Sequence, residues 1–380
     1  MKWREQKFSR RGFLKASGAA GLALAGPCFL PSSSGPAVGG RERFFHPNLA
    51  DDDASDSRPE TGGLRSLAAG KGLLIGSAFS NDAFQNDPLY GEVLAREFNC
   101  LVAENTMKLD VIQRVRGRFD FGPADEMMAF AGRKGMKVRA VPLVWHDALP
   151  DWAQDKTFPR QEALDILRGH IFTVMGHFQG RVFAWDVLNE ALNDKGPGLR
   201  EEDPWHRSIG PEYVDRIYHW AHEADPRAAL FYNEFGMEGM SEKADRCYEW
   251  IKGLRARGVP IHGLGLQFHI QVDKHPTRAD VTRNIKRFND LGLTVHITEL
   301  DVWLPKKADA ADFRKQAVIY REVFETALAA KNCPAIVLWG FTDRYSWVPG
   351  ISNGTYDQAL IFDRDYRAKP AYEAIASVLR

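Results

Sequence analysis

From residue 70 to the end of the chain, short apolar segments alternate with longer amphipathic segments, and this alternation constrains the fold more than any other feature. The apolar segments are bounded by turn residues, which is typical of buried parallel strands. Eight segments have this character: Leu73–Phe79, Cys100–Ala103, Val138–Trp145, Val182–Leu188, Ala229–Tyr232, His262–Phe268, Thr294–Thr298 and Ala335–Gly340. Eight strand–helix units predict an α/β fold of the (β/α)8 type, the TIM barrel.

The segments between the strands have helical spacing. After Pro211, which suits the first position of a helix, apolar residues recur three and four positions apart at Val214, Ile217, Tyr218 and Ala221. The stretch from Thr277 to Asp280 resembles a capping box. A doubly wound sheet would show the same alternation, but no glycine-rich phosphate loop follows the first strand, and Gly76 to Phe79 at its end is not one. We therefore favour the barrel.

The N-terminal region differs in composition from the rest of the chain. Arg10 and Arg11 precede a weakly hydrophobic run from Ala16 to Ala25, a pattern that predicts a twin-arginine export signal over residues 1–30. An ordinary basic helix is the alternative. Residues 31–66 are rich in Pro, Gly, Ser and Asp and predict a linker or irregular lead-in, so the catalytic domain is expected over residues 67–380. We expect a periplasmic or secreted protein that uses the twin-arginine machinery, without a membrane span once it is mature.

Charge and cysteine content exclude several classes of protein. The chain carries 50 basic and 50 acidic side chains, so no nucleic-acid partner is expected. The signal contains Cys28, and the remaining cysteines, Cys100, Cys247 and Cys333, are far apart and form no CxxC pair. We interpret these three as small buried apolar residues rather than as metal ligands.

The predicted strands end in polar and aromatic residues, and in a barrel these ends meet at one face that carries the chemistry. The candidate residues, in chain order, are Glu104, Asn105, Lys108, Trp145, His146, Asn189, Glu190, Gln267, His269, Glu299, Trp339 and Trp347. Carboxylates and amides bind hydroxyl groups, and indole rings stack on sugars. Glycoside hydrolysis needs two carboxyl groups, and Glu190 and Glu299 follow strands on opposite sides of the barrel mouth.

Each of these residues also has a simpler interpretation. A single glutamate at a strand end more often caps a helix or pairs with an arginine. His146 and His269 alone would more often be structural, and Asp301 and Asp343 are interpreted as scaffold carboxylates. The combination of these residues, rather than any one of them, indicates a sugar cleft.

Six motifs resemble glycoside hydrolase family 10, the endo-β-1,4-xylanases, and the similarity covers residues 70–380. The motifs, in chain order, are Ala103–Lys108, Trp185–Glu190, Tyr232–Glu234, Gly263–His269, Ile297–Asp301 and Trp339–Trp347. The resemblance implies a retaining hydrolase in which Glu190 is the acid/base and Glu299 the nucleophile, and it implies neither a metal nor an organic cofactor.

The resemblance also implies roles in binding a polysaccharide or oligosaccharide. Glu104, Asn105 and Lys108 match the residues that bind sugars on the non-reducing side, while Gln267 and His269 match those that flank the nucleophile. The tryptophans of the last motif, Trp339 and Trp347, would line the site, and Asn189 would bond a 2-hydroxyl group. The protein is expected to act as a monomer.

Two residues depart from the family pattern on the third strand. Val141 stands where the family has a sugar-binding histidine, and Ala148 where it has a glutamine. Losing these polar contacts keeps three other substrates open: a decorated xylan, a β-1,4-glucan or a bacterial exopolysaccharide. A non-catalytic glycan-binding protein on the same barrel is the alternative from another class. A third class, an aldolase-like barrel enzyme, would need a lysine or a phosphate site that this sequence does not show.

Overall fold

A computed structural model describes residues 63–380, and its strands form a closed parallel barrel. The strands are β1 (Leu74–Phe79), β2 (Cys100–Ala103), β3 (Lys137–Ala140), β4 (Val144–Trp145), β5 (Ala184–Asn189), β6 (Ala229–Glu234), β7 (Gly263–Leu266), β8 (His269–Gln271), β9 (Thr294–Pro305), β10 (Ala335–Leu338) and β11 (Tyr356–Asp357). The barrel order is β1-β2-β3-β5-β6-β7-β9-β10, and β10 pairs with β1 to close it. The predicted TIM barrel is confirmed.

Helices connect successive barrel strands, and further helices precede β1 and follow β10. They are α1 (Leu64–Gly70), α2 (Asn81–Asn86), α3 (Pro88–Glu97), α4 (Leu109–Ile112), α5 (Gly122–Arg133), α6 (Arg160–His177), α7 (Pro204–Ile209), α8 (Tyr213–Ala224), α9 (Glu242–Ala256), α10 (Arg278–Asp290), α11 (Ala310–Ala329), α12 (Val348–Ile351) and α13 (Pro370–Leu379). The main apolar core fills the space between these helices and the barrel.

Several element boundaries differ from the sequence prediction. The third predicted strand is two short strands, β3 and β4, with Pro142 between them, because proline cannot donate a ladder hydrogen bond. The seventh continues beyond the barrel to Pro305, since its outer half pairs with β8 and β11. Helix α8 begins at Tyr213 rather than at Pro211. At α10 Thr277 caps the helix as predicted, because its hydroxyl accepts from the Asp280 amide at 3.2 Å. The Asp280 carboxylate accepts from the Thr277 hydroxyl at 2.7 Å, so the capping box is formed only in its first half.

The start of the domain lies slightly before residue 67. Helix α1 includes residues 64–66 of the predicted lead-in, and Leu64 is buried with its amide donating to Glu97 Oε2 at 2.9 Å. The predicted signal at residues 1–30 and most of the lead-in lie outside the described residues. Within the described residues, no helix has the length and apolar character needed to cross a membrane.

The three cysteines of the domain behave as predicted. Cys100, Cys247 and Cys333 are buried free thiols. Burial raises the pKa of the Cys100 and Cys333 thiols to about 12. These side chains therefore pack as small apolar groups.

Candidate active site

A β-bulge on β5 sets the direction of the Asn189 side chain. Along the ladder with β6, Asp186 pairs with Phe231 but Leu188 pairs with Tyr232, so one extra residue is inserted on β5. Val187 and Leu188 accordingly both belong to the apolar core. Regular alternation would place Asn189 on the outer face. The bulge instead brings it inward, where it meets the side chain of Asn233.

A second bulge lies on β9 and holds Glu299. Ile297 pairs with Ile336 and Leu300 with Leu338, so two residues of β9 stand opposite one residue of β10. Ile297 and Leu300 are core residues, whereas Thr298 and Glu299 both contact Asn233 inside the barrel mouth. Bulges are frequent next to active sites, where they redirect side chains.

Amide side chains join the two predicted catalytic carboxylates into one hydrogen-bonded cluster. Asn233 Nδ2 donates to Glu299 Oε1 at 2.7 Å and to Asn189 Oδ1 at 2.8 Å. On the other side, Gln267 Nε2 donates to Glu190 Oε1 at 2.9 Å, and Asn189 Nδ2 donates to the same oxygen at 3.1 Å. The structure therefore brings together Asn189, Glu190, Gln267 and Glu299, as the sequence predicted.

Asn233 was not among the predicted site residues, although it occupies the centre of the cluster. Its position at the end of β6, within one of the six motifs, is the signal that could have found it. The neighbouring Gly265 on β7 leaves the space that it needs, because a Cβ there would lie 2.1 Å from Asn233 Oδ1.

His269 lies between two carboxylates. Its Nε2 is 3.0 Å from Glu299 Oε2, and its Nδ1 is 3.0 Å from Asp301 Oδ1. Burial lowers the pKa of His269, but the Asp301 and Glu299 carboxylates outweigh burial and raise this pKa to about 9. The ring therefore carries both protons at neutral pH and donates to each carboxylate, which favours an ionised Glu299.

Asp301 orients the aromatic side of the site. Besides His269, it accepts from the indole N–H of Trp347 at 2.8 Å and from that of Trp303 at 2.6 Å. The ring centroids of His269 and Trp347 are 4.7 Å apart. Asp301 was interpreted as a scaffold carboxylate, and these contacts are of that kind.

Glu190 has an unusual backbone conformation. Its φ is +53°, in the left-handed region that costs a non-glycine residue about 1–3 kcal/mol. The carboxylate also accepts from Trp145 Nε1 at 3.2 Å through its second oxygen, so both oxygens are held.

A cationic and aromatic group occupies the adjacent side of the barrel mouth. Lys108 Nζ donates to Asn105 Oδ1 at 2.8 Å and lies 5.2 Å and 5.8 Å from the ring centroids of Trp145 and Trp339. Burial raises the pKa of Glu104, and Lys108 partly offsets this effect. Glu104 and Trp339 line one small pocket, together with Tyr90 and Trp347. The predicted residues Glu104, Asn105, Lys108, Trp145 and Trp339 thus lie in one region of the cleft.

The two departures from the family pattern make apolar, closed surfaces. Val141 is 5 % exposed and packs in a small cluster with Trp339 and three aliphatic residues, and Ala148 is 4 % exposed. His146 is half-buried and stays outside the carboxylate cluster, with its Nδ1 buried and without a hydrogen bond.

A (β/α)8 barrel whose strand ends carry two hydrogen-bonded carboxylates flanked by tryptophans has the architecture of a glycoside hydrolase active site. Among residues 63–380, no group of three or more His, Cys, Asp or Glu side chains is suited to hold a metal ion.

Comparison with known proteins identifies the family. The model of Glycosyl hydrolase family 10 matches residues 63–378, and the chain belongs to this family. Endo-1,4-beta-xylanase B of Thermotoga neapolitana is 43 % identical over 319 residues, which cover 83 % of this chain and 91 % of the relative. The crystal structure of xylanase 10B from Thermotoga petrophila in complex with xylobiose has a TM-score of 0.81 at 42 % identity, over 84 % of this chain and 98 % of that one.

A further relative carries a different activity in its name. Exoglucanase XynX of Acetivibrio thermocellus is 35 % identical over 315 residues, which cover 80 % of this chain and 28 % of that protein.

Proposed function

We propose that this protein is a retaining endo-β-1,4-xylanase in which Glu190 is the acid/base and Glu299 the nucleophile. The observation that carries the proposal is the cluster in which Asn189, Asn233 and Gln267 hold both carboxylates at the mouth of the barrel. The similarity to endo-1,4-beta-xylanases over most of the chain supports xylan as the substrate.

The contacts suit a double-displacement mechanism. Glu299, kept ionised by His269, attacks the anomeric carbon, while Glu190 protonates the departing glycosidic oxygen. A glycosyl-enzyme forms. Glu190, now ionised, then takes a proton from water, and the resulting hydroxide displaces Glu299 and releases the sugar with its configuration retained.

Residues around the carboxylates bind the polymer in this proposal. Asn189 bonds the 2-hydroxyl group, where contacts strengthen in the transition state. Glu104, Asn105 and Lys108 bind sugars on the non-reducing side, and the indoles of Trp339 and Trp347 face the sugar rings. We further propose that the enzyme acts as a monomer.

The test of the function is hydrolysis of xylan followed by proton NMR of the first products. We expect mid-chain cleavage, seen as a rapid fall in viscosity, and initial release of the β-anomer. A β-1,4-glucan is the second candidate, because the chain resembles an exoglucanase and lacks two polar contacts at the cleft. If sugar is released faster from β-1,4-glucan than from xylan, the natural substrate is assigned as the glucan instead of xylan.

We also propose that Val141 and Ala148 make this family member atypical by lowering its efficiency on plain xylan. The double substitution Val141→His with Ala148→Gln adds the polar groups that the family has. We expect it to raise kcat/KM on xylo-oligosaccharides by about 1–3 kcal/mol of transition-state binding. The measurement is kcat/KM for the single and double variants.

The controls for this experiment add volume without hydrogen-bonding groups. Val141→Phe and Ala148→Met have nearly the shapes of histidine and glutamine, and we expect no gain from them. An unchanged efficiency in the His/Gln double variant would show that neither position contacts the sugar.

We propose, in addition, that residues 1–30 are a twin-arginine signal that sends the protein to the periplasm or the medium. Arg10 and Arg11 before a weakly hydrophobic run support this proposal. Changing both arginines to lysine is expected to leave uncleaved precursor in the cytoplasm, measured by fractionation and immunoblotting. Normal export of the double variant would instead indicate the general secretory route.

A further inference from the structure

The left-handed backbone of Glu190 must be held by its surroundings, since strained conformations persist only where neighbouring contacts impose them. Both peptide groups of Glu190 are bonded. Its amide donates to the Asn233 carbonyl at 2.9 Å, and its carbonyl accepts from Arg200 Nε at 2.8 Å. Arg200 lies ten residues further along the β5–α7 loop, so this loop folds back on its own first residue.

The two residues after Glu190 are held from β6. The amides of Ala191 and Leu192 both donate to the Tyr232 hydroxyl oxygen, at 3.1 Å and 3.3 Å. Tyr232 in turn donates to Glu234 Oε2 at 2.5 Å. Tyr232 and Glu234 are fully buried, which makes an unsatisfied group in this chain costly.

An ionic chain connects these two anchors. Lys243 Nζ contacts Glu234 Oε1 at 2.9 Å and Asp194 Oδ1 at 3.0 Å, and Arg200 Nη2 donates to the same oxygen of Asp194 at 2.7 Å. The five side chains therefore form a continuous network around the loop. We call them the loop clamp: Asp194, Arg200, Tyr232, Glu234 and Lys243.

We propose that the loop clamp is a set of positioning residues that fixes the left-handed backbone of Glu190 and thereby aims its carboxyl group as the proton donor. This inference rests on the proposed acid/base role of Glu190. The bonds from the clamp to Glu190 reach its backbone and the two amides that follow. A loosened clamp therefore affects proton donation first, while attack by Glu299, whose carboxylate is also held by His269, continues.

The dependence of the rate on the leaving group tests this proposal. Tyr232→Phe removes one oxygen atom and keeps the ring. Departure of dinitrophenolate needs no proton, whereas departure of phenolate does. We expect Tyr232→Phe to lower kcat/KM about tenfold or more for phenyl β-xylobioside and less than about twofold for the dinitrophenyl compound. Active sites are counted by the burst from a 2-deoxy-2-fluoro dinitrophenyl substrate, so misfolded enzyme does not enter the ratio.

Arginine variants provide an independent arm. Arg200→Met removes the Nε donor to the Glu190 carbonyl and is expected to show the same leaving-group dependence. Arg200→Gln keeps an N–H at the position of Nε and is expected to reverse this dependence partly. As a control, Arg257→Gln breaks the exposed ion pair with Asp215 on α8 and is expected to leave kcat/KM unchanged for both substrates. An equal loss on both substrates, or no loss on either, would overturn the proposal. If Glu190→Ala itself shows no leaving-group dependence, the acid/base assignment fails instead.

Discussion

Replacing Glu299 by alanine is expected to abolish hydrolysis of xylan, with a loss of kcat/KM of about 10⁴-fold or more. The substitution removes the atom that forms the glycosyl-enzyme bond, and the side chains that contact it cannot take this role, because Asn233 and His269 only donate to the carboxylate. Steady-state hydrolysis of xylan and of dinitrophenyl β-xylobioside measures the effect.

Azide distinguishes loss of the nucleophile from loss of the fold. In the Glu299→Ala variant, azide can enter the space left by the carboxylate and attack the anomeric carbon of the dinitrophenyl substrate. One displacement then occurs, so the product is the α-glycosyl azide, of inverted configuration. Near wild-type turnover of xylan by this variant would show that Glu299 is not the nucleophile.

Replacing Glu190 by alanine has the second largest expected effect, a loss of about 10²–10⁴-fold in kcat/KM on xylan. The variant lacks the proton donor, so departure of a sugar hydroxyl becomes slow. For dinitrophenyl β-xylobioside, kcat/KM is expected to stay close to the wild-type value, while kcat falls because no base activates water in the second step.

The configuration of the azide product again distinguishes the two variants. In the Glu190→Ala variant Glu299 still forms the glycosyl-enzyme, and azide then releases the sugar by a second displacement. The product is therefore the β-glycosyl azide, opposite to that of the Glu299→Ala variant. The α-azide from both variants would mean that the two roles are assigned wrongly.

Local sequence patterns determined the barrel and the main members of its site. Each apolar run forms one buried strand, and each amphipathic stretch forms a helix that packs on the strands. The number and order of the units therefore follow from periodicity alone. Parallel barrel strands present their carboxyl ends on one face, which made Glu190 and Glu299 predictable as neighbours. The Trp339–Trp347 motif indicated the aromatic side of the cleft in the same way.

Other features depend on pairing between segments far apart in the chain. The bulges on β5 and β9 exist only relative to β6 and β10, and they decide that Asn189 and Glu299 face the cleft. The in–out alternation of side chains along a strand, read from the sequence, does not show where an extra residue is inserted. The central place of Asn233 follows from the same registers, since its partners are 44 and 66 residues away.

The environment of each charged or apolar group was likewise decided by the tertiary structure. The sequence shows that Val141 replaces a histidine, but the fold places it in an apolar cluster with Trp339. It shows His269 and Asp301, but only the approach of His269 to both Asp301 and Glu299 in the folded chain raises the pKa of the imidazole to about 9. Composition and periodicity act along the chain, whereas register, burial and electrostatic coupling are properties of segments brought together in space, and these properties shape the site.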